Sequence, residues 1–268
     1  MRAPVLIVGA HRSGTSATAE ALRVLGLQIG QRLDSHSEPR GLQRVHEEYL
    51  HRVGGAWYSP SALLEWLNTE AGAADCVEYL RQSFHRQFHT TFAYRRGLRG
   101  LWPVLRTRLG ANWGWKEPRT TLFLPAWLKI FPDARVVHVL RHPLDVALSI
   151  QRRELHFRAA GDPPNDELHD LGSCLRLAID YVEAAEAAAP LARHFERVRF
   201  EDLQQNAAAT LRKLAEFCEL NPSRAGDAAR GIRPERAGRW KDLPADHARE
   251  LLARHPVMEK FGYEALPL

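Results

Sequence analysis

Short apolar runs alternate with longer stretches of helical period through most of this chain. The first run, Pro4-Val-Leu-Ile-Val-Gly9, is apolar in five of six positions, which predicts a strand covered on both faces, as in a parallel sheet. Arg135-Val-Val-His-Val-Leu140 predicts a second buried strand, Asn112-Trp-Gly-Trp-Lys116 a short one that Pro118 stops, and Arg197-Val-Arg-Phe200 a fourth. Helical period fills the rest: an Ala/Leu-rich run closed by Gly26, then about 42–53, 61–70, 75–94, 122–130, 143–153, 171–189, 207–220 and 244–254. Strands separated by helices predict an α/β fold, a phosphate-loop-like parallel β-sheet flanked by helices, in a single domain over 1–268. The section from about 42 to 112 shows strand character only at its end and reads as a helical insertion.

The turn after the first run is Ala10-His11-Arg12-Ser13-Gly14-Thr15-Ser16, opening straight into a helix. Successive backbone N–H groups there, with the positive end of the helix behind them, form a cradle for an anion. Spacing from Gly9 to Ser16 matches Gly-x-x-x-x-Gly-Lys-Ser/Thr except that Thr15 stands where a nucleotide triphosphatase needs its Lys. Arg12 is then the one cation inside the turn, which suits a smaller anion than a Mg²⁺-bound triphosphate. The plainer alternative is an ordinary strand-turn-helix corner. Arg141 ends the second buried strand, expected at an exposed strand end, and Pro143 takes the favoured first position of the next helix, which carries Ser149. Two strand ends, each with Arg and a helix start, imply adjacent anion sites that one nucleotide with two separated phosphates would fill.

A length of 268 residues allows a full core, and 45% hydrophobic with 26% charged residues is ordinary for a globular protein. No segment approaches the ~20 apolar residues of a membrane span and no charged leader precedes an apolar stretch, so a cytoplasmic protein is expected. Three separated cysteines argue against a disulfide framework or zinc site, and the 13 histidines are scattered, so no metal is expected. The net charge of +5 fits nucleic acid, an anionic surface or small anions alike. The run from Arg95 to Lys116 has several cations and no acid, and serves either as a solvated basic face or as an anion-facing rim.

Taken in order, these motifs resemble those of sulfotransferases that use 3′-phosphoadenosine 5′-phosphosulfate (PAPS), and the resemblance covers nearly the whole chain. Ala10 to Ser16 resembles the loop that holds the 5′-phosphosulfate; Trp113-Gly-Trp-Lys-Glu-Pro-Arg-Thr-Thr121, Phe131-Pro-Asp-Ala-Arg135 and Val139-Leu-Arg-His-Pro-Leu-Asp-Val-Ala-Leu-Ser149 resemble the central block. The resemblance implies that Arg141 and Ser149 bind the 3′-phosphate, and that Gly238-Arg239-Trp240-Lys241 closes over that phosphate and the adenine. Val198-Arg-Phe-Glu-Asp-Leu203 resembles a family strand end with Phe200 replacing the usual Tyr. Arg12 in place of a Lys, and Ala17 in place of an aromatic, make the chain similar to bacterial and carbohydrate-type members rather than cytosolic aryl and steroid ones.

Sulfuryl transfer needs a cation on the leaving phosphate, an acceptor oxygen or nitrogen in line with the sulfur, and a base for its proton. Arg12 is placed for the leaving group, and Lys116 at a neighbouring strand end could share that charge. Glu38 through Leu50 lines up without gaps on a family segment whose Glu is the candidate base, with Glu117, His46 and His36 as alternatives, and each of these is a surface group by default. The expected partner is a small-molecule or carbohydrate hydroxyl acceptor, shaped by the helical insertion. Two other classes compete. A phosphate-loop kinase or NTPase lacks its loop Lys and Mg²⁺-holding Asp here, and a non-catalytic nucleotide- or nucleic-acid-binding module would interleave aromatics with its basic run.

Overall fold

The computed structural model describes residues 2–30, 33–92, 110–161, 165–168, 170–233 and 238–263. Most of the basic run after Arg95, and the end of the helix expected to reach Tyr94, lie outside the described residues.

Four parallel strands, β1 Val5–Val8, β2 Gly114–Lys116, β3 Arg135–Leu140 and β4 His194–Arg199, form one sheet in the order β2-β1-β3-β4. The unbroken apolar run of β1 hides a period of two. Leu6 and Val8 face one core with Val136 and Leu140, whereas Val5 and Ile7 face another with Val137, Val139 and Val198. Helices cover both faces, as parallel strands require.

The second core is closed by α1 Thr15–Val24, α8 Phe200–Gln205, α9 Ala207–Phe217 and the short α10 Ala225–Ala229. The first is closed by α2 Arg40–Arg52, α3 Ser61–Leu67, α4 Glu70–Phe92, α5 Leu124–Ile130, α6 Pro143–Ala159, α7 Leu171–Ala188 and α11 Ala245–Ala253. In it, Phe84 of α4 packs against Trp113, Trp115 and Trp127, so this aromatic belongs to the interior.

Close backbone approach decides one residue of β2. A Cβ on Gly114 would lie 1.9 Å from the Val5 carbonyl oxygen, so only glycine lets this strand pair with β1. β4 begins three residues before the expected Arg197, because it is a partly exposed edge strand whose polar His194, Glu196 and Arg197 break the apolar signal, and Phe200 starts a helix instead of ending the strand. α6 also continues past the expected Arg153 to Ala159.

Candidate active site

The carboxyl ends of β1, β2 and β3 bring three groups of side chains to one edge. The β1–α1 turn comes first. Gly9 adopts φ +141° where a Cβ would meet the Val139 carbonyl oxygen at 2.5 Å, and Gly14 adopts φ +104° with a Cβ position 2.3 Å from the Phe200 ring. Arg12 itself takes a left-handed φ of 71°. Thr121 Oγ1 accepts the Gly9 N–H at 2.9 Å, which fastens the turn to the segment after β2. No side chain caps α1, no acid stands in its first turn, and the buried Ser13 Oγ has no hydrogen-bond partner among the described residues. An anion is the natural complement of such a helix start.

The end of β3 supplies the second group. Arg141 is buried rather than at the exposed strand end expected from sequence, because it packs over the Phe200 ring, 5.2 Å from its centroid. It donates from Nη1 to the Arg12 carbonyl at 3.2 Å and from Nη2 to Asp145 Oδ2 at 3.3 Å. Arg12 in turn donates from Nε to Ser149 Oγ at 2.9 Å. Asp145 accepts the backbone N–H groups of Gly238 at 2.7 Å and Trp240 at 3.0 Å, and the Trp240 ring stacks on His142 with centroids 4.0 Å apart. The late segment carrying Arg239, Trp240 and Lys241 is thereby docked on the start of α6, as a 3₁₀ turn over Arg239–Asp242 in which Arg239 and Lys241 stay exposed.

The third group centres on β2. Lys116 Nζ donates to Glu38 Oε1 at 2.7 Å, and both side chains are nearly buried. Glu38 reaches that position because Asp34 Oδ1 accepts the N–H groups of His36 and Glu38, folding 34–38 into a tight turn, while Ser16 Oγ donates to the His36 carbonyl at 3.1 Å. Gln43 Nε2 donates to the other Glu38 oxygen at 3.1 Å. Burial pushes the Glu38 carboxyl up, against the pull of Lys116.

Glu117 sits differently. It is fully buried, accepts from Arg119 Nη1 at 2.6 Å and from the Arg119 N–H at 3.2 Å, and is bonded to His46 Nδ1. Burial alone would raise its pKa, yet Arg119 and His46 hold it well below the carboxylate range. The Trp127 indole donates to His46 Nε2 at 3.0 Å, so that nitrogen accepts and Nδ1 carries the proton given to Glu117. His36 is half-exposed beside Asp34.

The family model described as "Sulfotransferase family" matches residues 4–223, which contain the three groups except for the late segment over 238–241. The chain belongs to the sulfotransferase family. Its fold is similar to that of the sulfotransferase domain from the Synechococcus PCC 7002 olefin synthase, at TM-score 0.57 and 17% identity, covering 100% of this chain and 98% of that one. It is also similar to sulfotransferase STF9 from Mycobacterium avium, at TM-score 0.53 and 16% identity over 98% and 78% of the two chains. The sulfotransferase domain from the curacin biosynthetic pathway follows at TM-score 0.53 and 15% identity, over 100% and 99%. No curated protein matches the sequence.

In this sulfotransferase the expected site residues fall into two connected sets: His11 to Ser16, Arg141, Ser149 and 239–241 in one, Glu38 and Lys116 in the other. His11 stands at the start of the first set's loop. Its buried ring packs 4.6 Å from Trp57 and 5.6 Å from Tyr181, and its pKa is lowered first by burial and then by the charge of Arg119. Sequence reasoning missed Asp145, Thr121 and Arg119, which brace the site; all three stand inside the quoted motifs, so the motifs themselves were the available signal. It also passed over His85 and His89, four apart, of which the His89 side chain lies outside the described residues; among the described residues no group of metal ligands forms. No described helix is long and apolar enough to cross a membrane.

Proposed function

We propose that this sulfotransferase moves the sulfuryl group of PAPS to a hydroxyl or amine of a small-molecule or carbohydrate acceptor. The observation that carries this reading is the chain Ser149–Arg12–Arg141–Asp145–Trp240, which joins the phosphate loop, the end of β3 and the late segment into one frame. Two anion sites so linked match a nucleotide with phosphates at both ends. The uncapped start of α1 and the Ser13 Oγ, without a hydrogen-bond partner among the described residues, fit the 5′-phosphosulfate; Arg141 and Ser149 fit the 3′-phosphate, with Arg239, Trp240 and Lys241 over it and the adenine.

In the transfer, a lone pair of the acceptor oxygen forms the new O–S bond while the bond from sulfur to the bridging oxygen breaks. Those electrons leave on the phosphate of adenosine 3′,5′-bisphosphate, where Arg12 and the loop N–H groups meet the developing charge. The acceptor proton goes to Glu38. Its carboxylate, held by Lys116 and Gln43, keeps lone pairs available and is made more basic by burial, whereas Glu117 is bound on both oxygens and held acidic, and His46 is committed to Trp127 and Glu117. Lys116 then serves to hold the base rather than to neutralise the leaving group. Incubation with PAPS and a panel of hydroxyl and amine acceptors in EDTA, read by mass, tests the proposal: sulfated product is expected, and phosphorylated product from ATP with none from PAPS would overturn it.

A further inference from the structure

Around Glu38 the charges are nearly all paired. Lys116 is matched by Glu38 at 2.7 Å, and Arg119 by Glu117 at 2.6 Å and Glu47 at 2.7 Å. Arg153 breaks this pattern. Its guanidinium lies 4.9 Å from the Trp57 ring centroid and 5.5 Å from that of Phe157, and has no hydrogen bond or ion pair among the described residues. The neighbouring Glu154 cannot serve it, since that carboxylate is buried, accepts the Asn165 N–H at 2.7 Å and pairs with Arg158 at 3.7 Å. Burial lowers the Arg153 pKa, the charge of the adjacent Glu154 opposes that shift, and the charges of Arg119 and Glu38 also reach it.

Position within α6 sharpens this. Arg153 follows Ser149 by four residues and so shares its helix face, about one turn or ~6 Å further along the axis. Ser149 is bonded to Arg12, the group placed at the leaving phosphate. Trp57 is fixed beside Arg153 by the Tyr181 hydroxyl, which donates to the Trp57 carbonyl at 2.9 Å, and its ring also packs against those of His11 and Tyr58. A half-buried guanidinium lying over an indole, without a carboxylate of its own, is a receptor for an anion from outside the chain.

We infer that Arg153, backed by Trp57, is a specificity-determining residue that selects acceptors carrying an anionic group, a carboxylate or a sulfate ester, within about one helical turn of the nucleophilic hydroxyl. The inference rests on the sulfuryl-transfer reading for the identity of the acceptor side. It predicts a charge-assisted contact of the kind that changes affinity about tenfold.

The test uses the full chain saturated with adenosine 3′,5′-bisphosphate and two matched pairs of probes: 4-hydroxyphenylacetate against its methyl ester, and galactose 6-sulfate against galactose. Affinities are read by ligand-observed NMR titration. At least one anionic member should bind about tenfold more tightly than its neutral partner, the two pairs telling carboxylate from sulfate ester. Arg153→Met should bring that ratio near one and Arg153→Lys should restore part of it, with nucleotide affinity unchanged in both. A ratio near one for both pairs in the unaltered protein, no binding of either anion, or a preference that survives Arg153→Met would overturn the inference. Failure of the bisphosphate to bind in the preceding titration would instead sink the donor assignment; the probe ratios are then read without nucleotide.

Discussion

Lys116 and Glu38 meet at 2.7 Å across a separation of 78 residues, with 1% and 8% of their side chains exposed. Removing one partner of such a pair strands a buried charge, which costs ~3–5 kcal/mol. Lys116→Met should therefore lower stability markedly in chemical denaturation. In whatever protein remains folded, the Glu38 carboxyl loses the cation that pulls its pKa down, so the acid limb of the rate profile should move to higher pH. An unmoved limb would mean that Glu38 is not the group that titrates.

Glu38→Gln keeps the shape of the side chain but removes the proton acceptor. Turnover should fall by ~10²–10⁴ while affinity for adenosine 3′,5′-bisphosphate stays nearly constant. Glu117→Gln is the comparison, and its expected phenotype is loss of stability, because it would leave the Arg119 charge buried with one partner fewer. Near-normal turnover in Glu38→Gln would transfer the base elsewhere.

Gly14 and Gly26 separate close approach from backbone strain. Both have positive φ, 104° and 109°, but a Cβ on Gly14 runs into the Phe200 ring whereas one on Gly26 meets nothing within 4 Å. Gly26→Ala should cost only the ~1 kcal/mol of an unfavourable backbone, while Gly14→Ala should cost more and weaken nucleotide binding. Parallel denaturation and calorimetry of the two variants check this; equal effects would remove Phe200 as a support of the phosphate loop.

Burial lowers the His142 pKa from 6.5 to about 4, and its ring stacks on Trp240. The unfolded chain thus takes up a proton near pH 6.5 that the folded chain refuses until about pH 4. Stability from this group is complete above 6.5 and is lost as pH falls towards 4, by up to about 3 kcal/mol. His11 and His138 are lowered too and act in the same sense. Stability curves of the unaltered protein and of His142→Gln should diverge across this window, and a constant difference would contradict the assignment.

The buried strands were legible because β1 and β3 are covered on both faces and read as near-continuous apolar runs. The start of β4 was not, since an edge strand tolerates His194 and Glu196. Within the site, the phosphate loop announces itself through local spacing, Gly9 to Ser16. The partners of Lys116 and Arg119 do not, because which carboxylate each meets depends on how the 34–38 turn and α2 lie against the end of β2 and the 118–121 turn, a packing result that spacing cannot encode. Phe200 shows the same limit: read alone it is a lost hydroxyl, whereas in the fold its ring supports Gly14 and Arg141.

Arg141→Lys keeps the charge but gives up the forked contact with the Arg12 carbonyl and Asp145. It should weaken binding of adenosine 3′,5′-bisphosphate about tenfold or more, with Ser149→Ala acting in the same direction through Arg12. Unchanged affinity in both variants would remove them from the 3′-phosphate site.

The most direct measurement is calorimetric titration of the unaltered protein in EDTA with adenosine 3′,5′-bisphosphate, set beside ATP with Mg²⁺. One-to-one binding of the bisphosphate, preserved in EDTA and stronger than that of ATP with Mg²⁺, is the predicted result, because the linked anion sites need no metal bridge. Tight binding of ATP that requires Mg²⁺, with no heat from the bisphosphate, would contradict PAPS as the donor.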